Sequence, residues 1–156
     1  MPIILDRQLK EQIPREQTGF PVTYFHDELL ELPNWQGHLH WHPDFEIATC
    51  KDNTLDFQVG QEHIILYSGD SIFINRNILH SIRQVSGCVP DSMPNIVFSG
   101  RIIAPETDDV YKKYIQPIAD CHSLPFVVFG AQNTGNDMRA GMLTGCVFPV
   151  ALIIAV

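Results

Sequence analysis

The stretch "HLHWHPDFE", residues 38–46, sets His38, His40 and His42 on alternate positions and places Glu46 four residues after the last of them. In an extended chain side chains alternate between faces, so the three imidazoles point one way while Leu39 and Trp41 point the other. Two imidazoles of an H-x-H pair on one face can share a single ion. Glu46 keeps the same parity, although Pro43 and Asp44 mark a turn or bulge that interrupts strict alternation. A fourth ligand has to come from another strand, and "GDSIFINRNILHSI", residues 69–82, supplies His80 after a turn built from Asn75, Arg76 and Asn77. Three imidazoles and one carboxylate suit Fe, Mn, Ni, Cu or Zn, and open coordination positions would accept water or a substrate. The same four groups also suit polar contacts to an organic ligand, or a structural hydrogen-bond cluster.

His38 shares the parity of His40 and His42 but lies outside the paired motif, so it is read either as a ligand-binding residue or as a surface histidine at a rim. Tyr24, Tyr67 and Phe73 are candidates for the apolar lining of a small-molecule pocket, set against the plainer reading of each as core. His26, His63 and His122 have no partner pattern and read as surface or satisfied core residues. Lys112 and Lys113 sit beside acids at helical offsets and read as a solvated face.

The elements that must position these residues are mostly strands. "FPVTYFH" at 20–26 alternates, "LPNWQG" follows as a turn, and "FEIAT", "LDFQV", "HIILY", "DSIFI", "HSIRQV" and "NIVFS" succeed one another up to Phe98 and Ser99 at the spacing of an all-β sandwich or barrel. After Gly100 the texture changes. "PETDDVYKKYIQPI" offers Thr107 as an N-cap, acids in the first turn, and Val110, Tyr114 and Ile118 as a helical stripe. "LPFVVF" at 124–129 reads equally as a strand or a buried segment. The last sixteen residues, GMLTGCVFPVALIIAV, are almost wholly apolar but too short, with Pro149 inside, for a spanning helix. They are expected to pack on this domain, on a second copy, or on further sequence. Trp41 and Phe45, opposite the candidate ligands, fall on an outer wall that needs cover from the N-terminal segment, the Thr107 helix or a partner.

Composition narrows the function. The chain has 156 residues, 45% of them hydrophobic and 18% charged, which is ordinary for one globular domain. A formal net charge of −8 argues against a phosphate-binding surface, so direct nucleic-acid binding is not expected. Cys50, Cys88, Cys121 and Cys146 are widely separated, without the spacing of a zinc ribbon, a redox pair or a disulfide framework. The N-terminus lacks the apolar core of a signal peptide. A reduced, cytoplasmic protein with no membrane association is expected.

Taken from His40 as H-x-H-x3-E and followed by "GDSIFINRNILH", the motifs resemble the two signature motifs of the cupin superfamily, small β-barrels whose three histidines and one glutamate hold a metal in the barrel mouth. More narrowly, the order H-W-H, F-E-I, G-D, I-N and L-H-S-I resembles the N-terminal sensor domain of AraC-type transcription regulators, over about residues 20–100. The resemblance implies an all-β, cupin-like barrel of the double-stranded β-helix or jelly-roll type with a short C-terminal helical region. It divides the chain into an N-terminal arm at 1–19, a barrel at 20–100, and a helix with an apolar packing or dimerisation segment at 101–156. It places His40, His42, Glu46 and His80 on the ligand positions of a metal-binding cupin, for a divalent ion such as Zn, Ni, Fe or Mn. AraC-type sensors also use this pocket for an organic effector, often sugar-like.

The function implied is an effector-binding sensor domain, non-enzymatic and homodimeric, reaching DNA only through a helix-turn-helix domain that these residues do not contain. The expected alternative is a metal-dependent cupin enzyme, a dioxygenase or an isomerase, acting on a small sugar or organic acid.

Overall fold

A computed structural model describes residues 4–13, 21–28, 32–85, 92–130 and 138–140. Nine strands lie among them: β1 Val22–Glu28, β2 Phe45–Thr49, β3 Leu55–Val59, β4 Glu62–Leu66, β5 Ser71–Ile74, β6 His80–Gln84, β7 Ser92–Phe98, β8 Phe126–Phe129 and β9 Met138–Ala140. All named pairs are antiparallel. One sheet has six strands in the order β1-β7-β2-β5-β8-β9, the other three in the order β4-β3-β6. The fold is all-β, as expected.

Each sheet buries its inward face by period-two alternation. Ala48, Ile72, Ile74, Met93, Phe126 and Val128 of the larger sheet pack with Leu55, Phe57, Val59 and Ile82 of the smaller one in a single apolar cluster. The opposite face of the larger sheet presents Phe45, Phe73, Phe98 and Val127. Tyr111, Ile115 and Ile118 of the helical segment 109–119 cover these, so the β-sandwich has a second core on its outside.

Residues 36–42 stitch the two sheets together. Gly37 N–H donates to Ile82 O at 2.8 Å, and His40 and His80 exchange backbone hydrogen bonds of 2.9 and 2.8 Å. The chain then leaves the edge of β6, turns at Pro43 and Asp44, and enters β2 of the larger sheet.

Three details differ from the sequence reading. The strand set runs past residue 100, because 126–129 forms β8 and pairs with β5; burial on both faces had made that segment ambiguous. Asp108, not Thr107, caps the helical segment, its Oδ1 accepting from Val110 N at 2.7 Å. Its buried stripe is Tyr111, Ile115 and Ile118, while Val110 is 45% and Tyr114 37% exposed. Residues 111–115 form a π-helical turn, so a stripe counted at 3.6 residues per turn does not mark the side that faces the sheet.

Cys50 is buried and donates to Asn53 O, and Cys121 is half-buried. Cys88, Cys146 and the apolar stretch 141–156 lie outside the described residues, as do residues 1–3 and 14–19 of the arm expected at 1–19. Among the described residues no helix is long and apolar enough to cross a membrane.

Gly100 marks where the helical segment presses on the sheet. A Cβ placed there would stand 2.5 Å from Ile115 Cγ2 and 3.2 Å from both Phe45 Cε2 and Tyr111 Cε2. Gly100→Ala is therefore expected to cost about 1–3 kcal/mol, as overpacking does, read as a lowered urea midpoint. An unchanged midpoint would show that the segment does not bear on Phe45.

Candidate metal centre

His40 and His42 flank Trp41 on the segment that joins the sheets, Glu46 is the second residue of β2, and His80 opens β6. The two inward histidines and Glu46 therefore meet His80 where the sheets are stitched. One ligating atom from each of the four residues lies within 4.8 Å of every other, and all four residues are buried.

Backbone carbonyls orient the three rings. His40 Nδ1 lies 2.8 Å from His38 O, His42 Nδ1 2.9 Å from Asp44 O, and His80 Nδ1 2.8 Å from Ile78 O. A carbonyl oxygen only accepts, so each Nδ1 carries the proton and donates. That leaves every Nε2 facing the centre. His42 Nε2 is 3.0 Å and His80 Nε2 3.1 Å from the same atom, Glu46 Oε2. The other carboxylate oxygen, Oε1, accepts from Asn95 Nδ2 at 3.2 Å.

An imidazole lone pair and a carboxylate oxygen at these distances repel unless a proton or a cation lies between them. In the protein without an ion, protons serve. Burial raises the cost of ionising Glu46, but hydrogen bonds from His42 and His80 outweigh it and hold the carboxyl well below its usual range. Burial likewise opposes charge on His42, yet the bond to Glu46 leaves its pKa raised. His40 is farther from that carboxylate in effect: burial, followed by the charge of His80, lowers its pKa to about 4.

A divalent ion satisfies the same groups. Two ligands held about 2.1 Å from one ion at right angles are about 3.0 Å apart, close to the two Glu46–histidine separations. Carbonyl-anchored Nδ1–H groups are the usual partners of metal-bound histidines, since they fix the tautomer and ring direction. The donor set therefore fits a transition metal with positions left for water or an exogenous group.

The remaining expected site residues stand elsewhere. His38 is exposed and contributes its carbonyl, not its ring, to the arrangement. Tyr24 and Tyr67 are each 60% exposed. Phe73 is buried, but in the outer core against Phe45, with ring centroids 5.5 Å apart, on the side of the sheet away from Glu46. None of these side chains joins the quartet, because parity sends Phe73 outward and leaves both tyrosines at the surface. His63 is half-exposed and bonded to Asp56, which Arg83 also contacts; His122 is exposed. The side chain of His26 lies outside the described residues. Lys112 and Lys113 are solvent-facing, as expected. Trp41 is covered by the N-terminal segment, its Nε1 donating to Gln8 O at 2.9 Å.

Two site residues were not foreseen. Asn95 sits on an inward position of β7 between Met93 and Val97, and a polar residue at that parity was a readable signal. Glu11 is 8% exposed and lies 3.7 Å from His40 Nε2 through its Oε2. No local pattern links it to the motif twenty-nine residues downstream.

No protein-family model matches the chain. It is 26% identical over 130 residues, 80% of its length, to an uncharacterized HTH-type transcriptional regulator, YdeC, of Bacillus subtilis (strain 168), and it spans 42% of that regulator's length. Among solved structures it is similar to fatty-acid-bound ToxT from Vibrio cholerae, at 10% identity over 76% of this chain and 43% of that one, with a TM-score of 0.45. It is also similar to a cupin-like protein from Thermotoga maritima, at 23% identity over 63% of this chain and 76% of that one, with a TM-score of 0.41. At TM-scores this low the structural likenesses assign no activity to the chain.

The titrations of His40, His42 and Glu46 give the metal-free protein a defined pH response. His40 binds its proton more weakly folded than unfolded, so its neutral form adds stability above pH 6.5 that is lost as pH falls toward about 4. The depressed Glu46 adds stability above the ordinary carboxylate range that is lost as pH falls through its lower folded value. The raised His42 acts oppositely, contributing below pH 6.5 and fading as pH rises through its folded value. In chelator-treated protein, His40→Gln should remove roughly 3 kcal/mol of acid sensitivity between pH 6.5 and 4, measured by urea unfolding across that range. Parallel wild-type and variant curves would contradict this.

Proposed function

We propose that this chain is the small-molecule sensor domain of an AraC-type transcription regulator, with His40, His42, Glu46 and His80 holding a divalent transition metal at the effector pocket. The observation that carries the metal is the orientation of three Nε2 atoms toward one buried carboxylate by three separate backbone carbonyls. The similarity to YdeC, which extends over 80% of this chain but only 42% of the regulator, supports the sensor role. More than half of that regulator has no counterpart in these residues, and DNA contact would belong to such a further domain. The site is cytoplasmic in this reading, and the chain acts as a homodimer.

When bound, the metal supplies a Lewis-acidic point for an oxygen or nitrogen of an effector, for which a polyol or hydroxy acid of sugar size is suited. The chain's own groups do the rest. The three Nδ1–H bonds hold the rings still, Asn95 fixes the rotation of the Glu46 carboxylate, and the apolar interior keeps water from competing. An effector changes the regulator only insofar as it binds one of two states more tightly.

A second reading, a metal-dependent cupin enzyme, is favoured by the same buried quartet, because perturbed titratable groups around an open metal position are also what catalysis uses. The sensor is preferred because the similarity to the HTH-type regulator YdeC extends over 80% of this chain.

Chelator-treated protein should take up one equivalent of Zn²⁺, Mn²⁺, Ni²⁺ or Fe²⁺, and the double variant His40→Ala/His42→Ala should fold yet bind none. With the ion in place, a panel of sugars and hydroxy acids should include one that raises the Tm without being consumed; at a hundred times its Kd the stabilisation is about 2.7 kcal/mol. Catalytic loss of that compound would sink the sensor role in favour of the enzyme.

A further inference from the structure

Residues 75–79 carry the chain from β5 of the larger sheet to β6 of the smaller one. Asn77 turns the backbone in the left-handed region, φ 60°, where a short polar side chain is tolerated. Two residues of the quartet lean on this turn. Asn77 N–H donates to His42 O at 2.8 Å, which fixes the backbone that carries the His42 ring. Ile78 O accepts from His80 Nδ1 at 2.8 Å, which fixes the His80 ring itself.

The other side of the turn is fastened to the helical segment. Asn75 is 3% exposed, and an amide so buried needs partners for both its hydrogens and for its oxygen. Nδ2 donates to Ile118 O at 2.8 Å and to Leu124 O at 3.0 Å, while Oδ1 accepts from Arg76 N at 2.8 Å. The backbone adds a bond from Asn75 N–H to Pro125 O at 2.9 Å. Ile118 belongs to the apolar group that covers the outer face of the larger sheet. One short turn therefore holds two quartet residues on one side and the end of the helical segment on the other.

We propose that Asn75 and Asn77 are positioning residues of the metal site and couple it to the seat of the helical segment: a bound ion tightens that seat, and loosening the seat weakens the ion. This rests on the metal reading above. Neither asparagine supplies a ligand atom to the quartet. Asn77 acts through the backbone of His42, and Asn75 through the turn that bears Ile78 and His80. Binding free energies couple reciprocally, so an ion held more tightly when the Asn75 bonds are made must itself strengthen those bonds. Outer partners that only orient metal ligands are worth about ten- to hundredfold in affinity. Asn75, one step further removed, belongs at the lower end of that range.

The test is competition for Zn²⁺ between the chelator-treated full chain and a chromogenic chelator, on the wild type, N75A, N77V, N77G and I64A, with apo melting curves to confirm folding. Ile64 packs on the inner core from β4, two strands from β6, and serves as the control for general destabilisation. N75A and N77V should bind Zn²⁺ about tenfold more weakly. N77G keeps the N–H and accepts a positive φ, so it should bind as the wild type does. I64A should also match the wild type, even where its Tm falls as far as that of N75A. Independently, in the wild type alone, Zn²⁺ should slow hydrogen exchange at the amides of Asn77 and Asp120, the second of which donates to Gln116 O in the helical segment. Equal affinity in wild type and N75A, an equal loss in I64A, or unchanged exchange at Asp120 on saturation overturns the coupling and leaves the four-residue site standing. If the wild type itself takes up no ion, the metal reading falls and this inference falls with it.

Discussion

Three imidazole nitrogens and a carboxylate oxygen that face one another out of contact with water repel unless something positive lies among them. The rest of the site is arranged around that constraint. Carbonyls of His38, Asp44 and Ile78 commit each Nδ1 proton outward, which leaves each Nε2 to be satisfied inward. Protons fill the role when no ion is bound, as the raised pKa of His42 beside Glu46 reflects. Metal binding must then displace them, so affinity for an ion and affinity for protons are linked in this site.

The barrel's contribution is to make the convergence unavoidable. His40 and His80 are fixed to each other by a reciprocal pair of backbone hydrogen bonds, so their rings cannot separate without opening the seam between the sheets. The turn before His80 is anchored in its own right. Asn75 Nδ2 donates to Ile118 O at 2.8 Å and Leu124 O at 3.0 Å, tying the turn to the end of the helical segment. That segment, seated on Phe45 and Phe73, lies on the far side of the sheet from Glu46. Packing on the outer face of the larger sheet is thus in mechanical register with the histidine–glutamate quartet on its inner side. Trp41 has the matching position on the other side, between His40 and His42 and under the N-terminal segment.

Much of this was legible in the sequence because period-two alternation is a strong signal when one face is polar in a way that means something. The strand containing Phe45 to Thr49 and that containing Leu55 to Val59 were read with the bounds they have, and the four candidate ligands were picked out from spacing and order. Their convergence follows from the seam, which no local pattern encodes. Glu11 was invisible for the same reason, since its place depends on a backbone pairing between Lys10 and Trp41. The aromatic candidates were less legible because aromatic residues suit both faces of a covered sheet, and only the helical segment on the outside decides where Phe73 is buried. The helix itself was found, but its π-helical turn at 111–115 buries Tyr111 and Ile115 and leaves Val110 and Tyr114, part of the expected stripe, exposed.

Long-range nitrogen-15 spectra of the histidine rings test the central claim most directly. With one equivalent of Zn²⁺, His40, His42 and His80 should keep their Nδ1 protons while their three Nε2 resonances move together, and His38, His63 and His122 should stay unchanged. Loss of the Nδ1 protons, or Nε2 signals that respond separately or not at all, would show that the three rings do not share one point.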